Sequence, residues 1–210
     1  MRIAIIGASA GIGLEVLQSA LDRGHDVTTL SRSKIRFTHE AHFNAVIGDA
    51  TKSEDLIEAI HQADAVIITL GTGKNMKATT LFSDFAKVLL TVQKEQHLTI
   101  PFLFVTGFGT GESKNYTSWF VKLFLNYFLN EVYADKKLME DLISNSTLNW
   151  MIVRPGRLLD KPVTEKYRIE TELFKGINIG GINRADVADF LVKQAERPTY
   201  LLKFPAISEK

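Results

Sequence analysis

Three glycines near the start of the chain stand where a short apolar run gives way to a helical pattern. Gly7, Gly11 and Gly13 follow apolar residues 3–6 and open a pattern of helical period over residues 12–23. Glycine allows a sharp turn and a close approach of backbone to a phosphate, and the third glycine lets helix and strand pack closely. The N–H groups and the dipole of the new helix attract an anion. This arrangement favours a phosphate-binding turn over a bend with a structural role alone.

The end of the second apolar run indicates which dinucleotide would bind. An acidic residue there holds the ribose 2′-hydroxyl of NAD, whereas an arginine favours the 2′-phosphate of NADP. The run ends in "TTLSRSK", with Ser31 and Arg32 at its carboxyl end, and Asp26 lies before it. Guanidinium groups bind phosphate through paired, charge-assisted hydrogen bonds. We therefore expect NADP(H), while Lys34 and Arg36 are explained as well by a solvated basic turn.

Two further runs end in residues that fit the same ligand. "VIGDA" ends the third run with Asp49, whose carboxylate can accept a hydrogen bond from the adenine amino group. "IITLGTGKN" ends the fourth with small residues that let the chain pass beside the adenosine ribose and the pyrophosphate. The predicted cofactor residues in these four segments are Gly7, Ser9, Gly11, Ile12, Gly13, Ser31, Arg32, Asp49, Ala50, Leu70, Gly71, Thr72 and Gly73.

The elements that must position these residues alternate along the chain. Apolar runs lie at 3–6, 27–30, 45–47, 65–70, 102–105 and 150–153, and helical patterns at 12–23, 53–62, 79–96, 134–144 and 184–196. Strands that are apolar throughout are typical of a parallel sheet covered by helices on both faces. The pattern therefore predicts an α/β fold with a doubly wound, Rossmann-like parallel sheet.

Length and composition bound the organisation of the chain. With 210 residues and 45% hydrophobic residues, it suits one domain over residues 1–210. The pattern loosens after Pro155, so residues 155–210 are expected to form a small C-terminal lobe on the substrate side, ending in an apolar run near 200–204.

Charge and residue usage exclude several classes of function. A net charge of +1 gives no electrostatic reason to expect nucleic acid or an anionic membrane as partner. No apolar stretch approaches the roughly 20 residues of a spanning helix, so we expect no integral membrane segment. Cysteine is absent, which fits a reducing cytoplasm. No metal site is expected, because the five histidines lack metal-ligand spacing; they are His25, His39, His42, His61 and His97.

Several segments together resemble a known family. "GASAGIG", "GDATKSEDL", "ADAVIITLGTGKN", "YADKKLMEDL", "STLNWMIVRPGRLLDKP" and "INRADVADFL" occur in the order seen in atypical short-chain dehydrogenases/reductases. The branch they resemble is the NAD(P)H-binding, NmrA-like proteins that include NADPH-dependent flavin/biliverdin-IXβ reductase, and the resemblance covers nearly the whole chain. It implies that Thr106 and Gly107 lie near the nicotinamide, and that "RPGR", with Pro155, Gly156 and Arg157, lies beside the nicotinamide and the substrate pocket. In "RADVADF", Arg184 and Asp186 are expected to have a structural role.

Catalytic residues are harder to assign from the same resemblance. Many short-chain dehydrogenases pair a tyrosine proton donor with a lysine four residues later, and Tyr133 and Lys137 have that spacing. Register with "STLNW" and "VRPG" instead places Lys136 at the family lysine and Val132 at the tyrosine. Residues three apart share a helix face, so Tyr133 and Lys136 can still converge. The predicted catalytic residues are Thr106, Tyr133 and Lys136, with Lys136 also a ligand of the cofactor ribose.

Two departures from the family limit the chemistry. Gly107 stands where relatives often have a serine, and Gly156 where the flavin/biliverdin reductase has a histidine. Arg157 and Thr106 are the remaining nearby candidates for polarising a carbonyl. Reduction of a flavin or a quinone requires little from the protein beyond orientation of the nicotinamide, because the cofactors carry the chemistry. The sequence therefore favours an NADPH-dependent oxidoreductase that passes hydride to a small aromatic acceptor, acting as a monomer or a homodimer.

Other readings stay open at this point. A non-catalytic NADP(H)-binding sensor or regulatory protein of the NmrA-like type is the alternative, and an epimerase acting on a nucleotide sugar is a weaker one. The segment 111–132 is rich in aromatic residues and predicts core packing, a substrate lid, a dimer contact or a membrane-surface contact. Its aromatic helix face comprises Trp119, Phe120, Phe124, Tyr127 and Phe128.

Overall fold

The computed structural model describes residues 1–35, 41–73, 77–117 and 129–210, together with Trp119, Leu123 and Tyr127. The strands are β1 (Arg2–Ile6), β2 (Asp26–Ser31), β3 (Phe43–Ile47), β4 (Ala65–Ile68), β5 (Pro101–Val105), β6 (Asn149–Pro155), β7 (Arg157–Leu159), β8 (Tyr167–Glu170), β9 (Gly181–Asn183) and β10 (Ala206–Glu209). The helices are α1 (Ile12–Asp22), α2 (Ser53–Ile60), α3 (Leu81–Gln96), α4 (Asn130–Ser144) and α5 (Arg184–Glu196), with a short 3₁₀ helix at Gly111–Tyr116.

A mostly parallel sheet forms the centre of the protein and confirms the predicted α/β class. Its strand order is β3-β2-β1-β4-β5-β6-β10-β8, and β8 alone of these strands runs antiparallel to its neighbour. The order reverses between β1 and β4, which is the switch point where parallel α/β sheets bind their ligands. The C-terminal residues add β10 and β8 to this sheet, and they also form the small parallel pair β7–β9.

Alternate residues of the central strands face two separate apolar layers. In β1, Ile3 and Ile5 pack with α1 and α5, whereas Ala4 and Ile6 pack with α2, α3 and α4. All four side chains are buried. This burial on both faces is the reason the strands read as continuous apolar runs in the sequence.

Three of the boundaries that differ from the sequence prediction concern the site or the core. Helix α4 begins at Asn130, earlier than the predicted 134, and its first turn places Val132 in the core. Strand β4 ends at Ile68, so Thr69 and Leu70 belong to the turn that follows it. The last strand begins at Ala206, beyond the apolar run at 200–204, and that run instead contributes Tyr200 and Phe204 to the two core layers.

Candidate dinucleotide site

A cavity of about 540 Å³ opens at the carboxyl ends of β1 to β5. It brings together most of the residues predicted from the sequence, which come from five separate strand ends and from α4. The predicted residues on its wall are Gly7, Ser9, Gly11, Ile12, Ser31, Arg32, Asp49, Ala50, Leu70, Gly71, Thr72, Gly73, Thr106, Tyr133 and Lys136.

The three glycines of the turn have different structural roles. Gly7 has φ +99°, and a Cβ there would lie 3.0 Å from the Leu70 backbone nitrogen. Gly13 is buried in the first turn of α1, where a Cβ would lie 2.2 Å from the Gly7 carbonyl oxygen. Gly11 has φ +58° and open space around it, apart from the Arg184 Nε at 3.8 Å from the Cβ position. Gly7 and Gly13 therefore hold strand and helix together, and Gly11 leaves room in the cavity.

The start of α1 offers uncommitted backbone donors to that room. Its N-cap is Gly11, and no side chain caps the first turn. Ser9 and Ala10 are exposed on the cavity wall. Unpaired N–H groups at a helix start, together with the helix dipole, form an anion site. The turn has the donors and the space that a pyrophosphate needs.

The end of β2 presents a cation to the far end of the cavity. Arg32 is exposed on the wall, and among the described residues it has no ion-pair partner. The Ser31 hydroxyl donates to the Ser33 carbonyl oxygen at 2.9 Å and so shapes the turn. Asp49 accepts from the Thr51 backbone N–H at 2.9 Å and from its hydroxyl at 2.8 Å, and these bonds lower the pKa of the Asp49 carboxyl. Asp49 is therefore a carboxylate at neutral pH.

A buried charged network lies behind the other end of the cavity. The Thr106 hydroxyl donates to Glu140 Oε1 at 2.6 Å, so it turns away from the cavity. Arg154 Nε and Nη2 donate to the two Glu140 oxygens at 3.2 and 2.7 Å. The Arg154 guanidinium also stacks on Phe204, with the carbon 4.2 Å from the ring centroid. Arg154, of the "RPGR" segment, thus acts from behind the wall and does not line it.

Lys136 and Tyr133 converge on this end of the cavity from α4. Lys136 Nζ donates to the Thr106 carbonyl oxygen at 3.0 Å and lies 5.6 Å from the Tyr133 ring centroid. Burial lowers the pKa of Lys136 to about 8, against the opposing attraction of Glu140. Burial also raises the pKa of the Tyr133 hydroxyl, and Glu140 adds to that shift. Lys137 points outward and pairs with Asp141.

The Tyr133 hydroxyl lies where a side chain at position 107 would be. A Cβ on Gly107 would be 3.1 Å from that oxygen. Gly107 itself does not line the cavity, and its absent side chain leaves the space that the tyrosine hydroxyl occupies. The glycine at position 107, where relatives often have a serine, and the tyrosine at position 133 instead of 132 therefore depend on each other: the glycine leaves the space that the tyrosine hydroxyl fills.

Five predicted residues lie outside the lining of the cavity. Gly156 packs against the backbone of Gly180 and has no room for a side chain, because a Cβ there would lie 1.9 Å from the Gly180 carbonyl oxygen. The same contact explains why no histidine can stand at this position. Arg157 is exposed on β7. The residues outside the lining are Gly13, Gly107, Pro155, Gly156 and Arg157.

Sequence reasoning missed several residues on the wall. Thr69 donates to the Gly7 carbonyl oxygen at 3.1 Å and braces the glycine turn. Arg184, at the start of α5, comes from a segment far along the chain. The remaining missed residues are apolar or small and carry no chemical signal of their own. They are Ala10, Leu30, Gly48, Leu81, Val105, Leu129, Val132 and Leu158.

A second cavity of about 650 Å³ has Phe108, the second residue after Thr106, in its wall. Its wall combines aromatic and aliphatic side chains with amides and one lysine. The lining residues are Phe108, Asn115, Tyr116, Thr117, Lys175, Gly176, Ile177, Asn178 and Ile179. Such a mixture is typical of a small-molecule site.

The family model described as NAD(P)H-binding matches residues 7–198. This chain belongs to that NAD(P)H-binding family. The match spans the glycine turn, all the strand ends on the cavity wall and helix α5. As a member of the family, the protein binds NAD(P)H, and the cavity with its free helix amides and its cation fits that ligand.

Solved structures show the same fold. The anaerobilin reductase ChuY from Escherichia coli O157:H7 is 22% identical, with a TM-score of 0.79 over 100% of this chain and 97% of that one. A candidate NADH-flavin reductase from Streptococcus pneumoniae TIGR4 is 25% identical, with a TM-score of 0.78 over all of both chains. A short-chain dehydrogenase/reductase from Veillonella parvula, solved with NADP, is 16% identical, with a TM-score of 0.82 over 99% and 94%. This chain thus shares its Rossmann-like fold with these three proteins.

The aromatic segment is described at three positions only. Trp119, Leu123 and Tyr127 are helical, spaced by four residues, and 67, 53 and 82% exposed. Core packing is therefore not the environment of Trp119 and Tyr127, and Phe120, Phe124 and Phe128 lie outside the described residues. Within the described parts of the chain, no helix is long and apolar enough to cross a membrane.

Proposed function

We propose that this protein is an NADPH-dependent oxidoreductase that transfers hydride to a small aromatic acceptor such as a flavin or a quinone. The observation that carries the proposal is the convergence of Lys136 and Tyr133 beside Thr106 on the wall of the dinucleotide cavity. Phe108 of the second cavity follows Thr106 by two residues, so a nicotinamide beside Thr106 would lie near an acceptor in that cavity.

Preference for the phosphorylated cofactor rests on Arg32. Its guanidinium lines the adenosine end of the cavity, and no acidic side chain among the described residues forms an ion pair with it. A 2′-phosphate gives such a guanidinium a bidentate partner, whereas the 2′-hydroxyl of NAD does not.

Lys136 is the proposed ligand of the nicotinamide ribose. The Thr106 carbonyl oxygen fixes its ammonium group at 3.0 Å, and Glu140 fixes the Thr106 side chain in turn. Thr106 and Glu140 are thus positioning residues, and Arg154 keeps Glu140 in place through two hydrogen bonds. A buried carboxylate without that partner would be strongly destabilising.

Tyr133 is the proposed proton donor of the site. Its raised pKa keeps the hydroxyl protonated at neutral pH, and the hydroxyl lies against the backbone of Gly107. The bound dinucleotide supplies a hydride, which carries two electrons and one proton, and the reduced acceptor takes its second proton from Tyr133 or from solvent.

The second cavity is the proposed acceptor site. Phe108 and Tyr116 offer aromatic surfaces, and Ile177 and Ile179 offer aliphatic ones. A planar ring system can stack on such surfaces next to the nicotinamide. One solved structure of the same fold is named as a candidate NADH-flavin reductase, and a flavin is an acceptor of this class; another is named as an anaerobilin reductase.

The test is NADPH oxidation followed by absorbance with FMN and, separately, with a small quinone as acceptor. The proposal expects turnover above the protein-free rate with at least one acceptor, and a lower rate with NADH. Saturable NADPH binding without acceptor-dependent oxidation would contradict the reductase function. Such a result would favour the non-catalytic NADP(H) sensor. Two observations support that alternative: the Thr106 hydroxyl is bonded to Glu140 and turns away from the cavity, and positions 107 and 156 are glycines without a catalytic side chain.

A further inference from the structure

Arg184 brings a positive charge from the C-terminal part of the chain to the glycine turn. It is the first residue of α5, and its Nε lies 3.8 Å from the position that a Cβ on Gly11 would take. It lines the dinucleotide cavity and also a neighbouring cavity between α1 and residues 160–165. The Arg184 side chain therefore lies at van der Waals distance from the glycine turn.

The present partner of Arg184 is weakly held. Arg184 Nη1 donates to Asp160 Oδ1, and the Asp160 side chain is 85% exposed while that of Arg184 is 28% exposed. An ion pair with so exposed a carboxylate contributes little, about 0–1 kcal/mol. No other described side chain is within ion-pair distance of Arg184. The arginine is thus held near the turn by a carboxylate that an anionic ligand can replace at small cost.

The groups around Gly11 match the chemistry of a pyrophosphate. No side chain caps the first turn of α1, and Ser9 lines the same cavity as Arg184. A planar guanidinium binds phosphate oxygens through two parallel hydrogen bonds. Gly11 has no side chain, so a ligand in this cavity can approach both the turn and Arg184.

We propose that Arg184 binds the pyrophosphate of the dinucleotide, and that Asp160 holds Arg184 beside the turn until the ligand arrives. This inference rests on the dinucleotide binding of the proposed function. It assigns Arg184 of the "RADVADF" segment a ligand-binding role in place of the structural role expected from the sequence. It also couples α5 and the loop at residues 160–165 to the occupancy of the glycine turn.

The test compares Arg184→Gln, Asp160→Asn and, as a matched control, Arg2→Gln, whose guanidinium pairs with Asp64 at the opposite edge of the sheet. Calorimetric titration gives the affinities for NADPH, NADH and adenosine 2′-monophosphate, which has no pyrophosphate. Circular dichroism and thermal unfolding of each unliganded variant report the fold.

For Arg184→Gln we expect NADPH and NADH to bind roughly ten- to hundredfold more weakly by the same factor, as for the loss of hydrogen bonds to a charged group. Adenosine 2′-monophosphate should bind as it does to the wild-type protein. Asp160→Asn should bind NADPH as tightly as wild type or more tightly, since it removes the competing carboxylate. Arg2→Gln should change none of the three affinities.

Unchanged NADPH affinity in Arg184→Gln would overturn the inference. So would a loss in Asp160→Asn equal to that in Arg184→Gln, because the ion pair would then act through structure alone. If Arg184→Gln does not fold, Arg184→Lys and Asp160→Asn decide: weaker dinucleotide binding in the lysine variant alone supports the pyrophosphate contact, and any other pattern rejects it. A wild-type protein that binds neither dinucleotide would overturn the proposed function itself.

Discussion

The two ends of the dinucleotide cavity are built by different means. At the pyrophosphate end the site is formed by the backbone: three glycines leave space, and the uncapped start of α1 provides N–H donors. At the nicotinamide end the site is formed by side chains, through the contacts that run from Arg154 to Glu140, Thr106 and Lys136. The pyrophosphate end depends on the absence of side chains at three nearby positions of one segment. The nicotinamide end depends on side chains that β5, α4 and β6 bring together.

The sharpest contrast within the pyrophosphate end is between Gly13 and Gly11. Gly13→Ala should destabilise the protein by about 3 kcal/mol, because its Cβ would meet the Gly7 carbonyl oxygen at 2.2 Å. Gly11→Ala has room for its Cβ and should cost about 1–3 kcal/mol, because its φ of 58° with ψ of −134° is a conformation that glycine alone adopts readily; it should also weaken NADPH binding. Chemical denaturation measures the stability of both variants, and titration of each folded variant with NADPH measures binding. Undiminished NADPH binding in Gly11→Ala would contradict the role of Gly11 in the cavity.

At the adenosine end, Arg32→Ala should weaken NADPH binding about ten- to hundredfold, since a hydrogen-bonded charge contact is removed. NADH affinity should stay the same, because NADH has no 2′-phosphate. Lys34→Ala is the control, as Lys34 does not line the cavity. Parallel titrations with the two dinucleotides measure the ratio. A common loss for NADPH and NADH would remove the 2′-phosphate assignment.

At the nicotinamide end, Lys136→Met should raise the stability of the unliganded protein at pH 7 by about 3 kcal/mol, on the scale of about 1.4 kcal/mol for each unit of pKa shift. Burial lowers the pKa of Lys136 from 10.5 to about 8, so below pH 8 the folded wild-type protein holds a buried charge at a cost. Between pH 8 and 10.5 the unfolded chain binds the extra proton, and wild-type stability should rise with pH relative to the variant.

The same Lys136→Met variant should bind NADPH less tightly than the wild-type protein. A variant that is more stable but binds more weakly would show that Lys136 lowers stability in return for cofactor binding. Lys137→Met is the matched control: its lysine pairs with Asp141 on the surface, so neither stability nor binding should change by much. Denaturation across pH and NADPH titration of both variants measure these effects. A pH-independent stability difference between Lys136→Met and wild type would contradict the buried charge.

The smallest effect is expected at Tyr133. Tyr133→Phe should lower kcat with a flavin acceptor by less than about tenfold, because a flavin needs orientation more than proton donation. Gly107→Ala should lower it similarly, since its Cβ would lie 3.1 Å from the tyrosine hydroxyl and displace it. Steady-state kinetics with FMN measures both. A loss of about a hundredfold or more would indicate a carbonyl acceptor and contradict the flavin or quinone assignment.

The contrast between the two ends also explains what the sequence could and could not predict. The glycine turn and the strand ends are local: each glycine, and Arg32, stands in a short segment whose place after a strand is visible in the apolar pattern. The central strands and α1 to α3 were predicted for the same reason. The antiparallel β8 and the pair β7–β9 were not, since they are short and only partly buried.

Contacts between distant segments carry no such local signal. Thr106, Tyr133 and Lys136 were identified through the family resemblance, but not the Glu140–Arg154 pair behind them or the approach of Arg184 to Gly11. Gly107 and Gly156 appeared in the sequence as missing catalytic side chains. In the structure, one makes room for the Tyr133 hydroxyl, and the other passes against the Gly180 backbone.

The central claim is that the site holds the nicotinamide so that hydride leaves it toward an acceptor. The most direct measurement is the deuterium isotope effect on acceptor reduction with NADPH labelled at one or the other of the two hydrogens on C4 of the nicotinamide ring. The proposed function predicts that only one label slows the reaction and is lost from the NADP+ that forms, because a bound ring presents one face to the acceptor. Loss of label from both positions, or no acceptor-dependent loss from either despite tight binding, would contradict it.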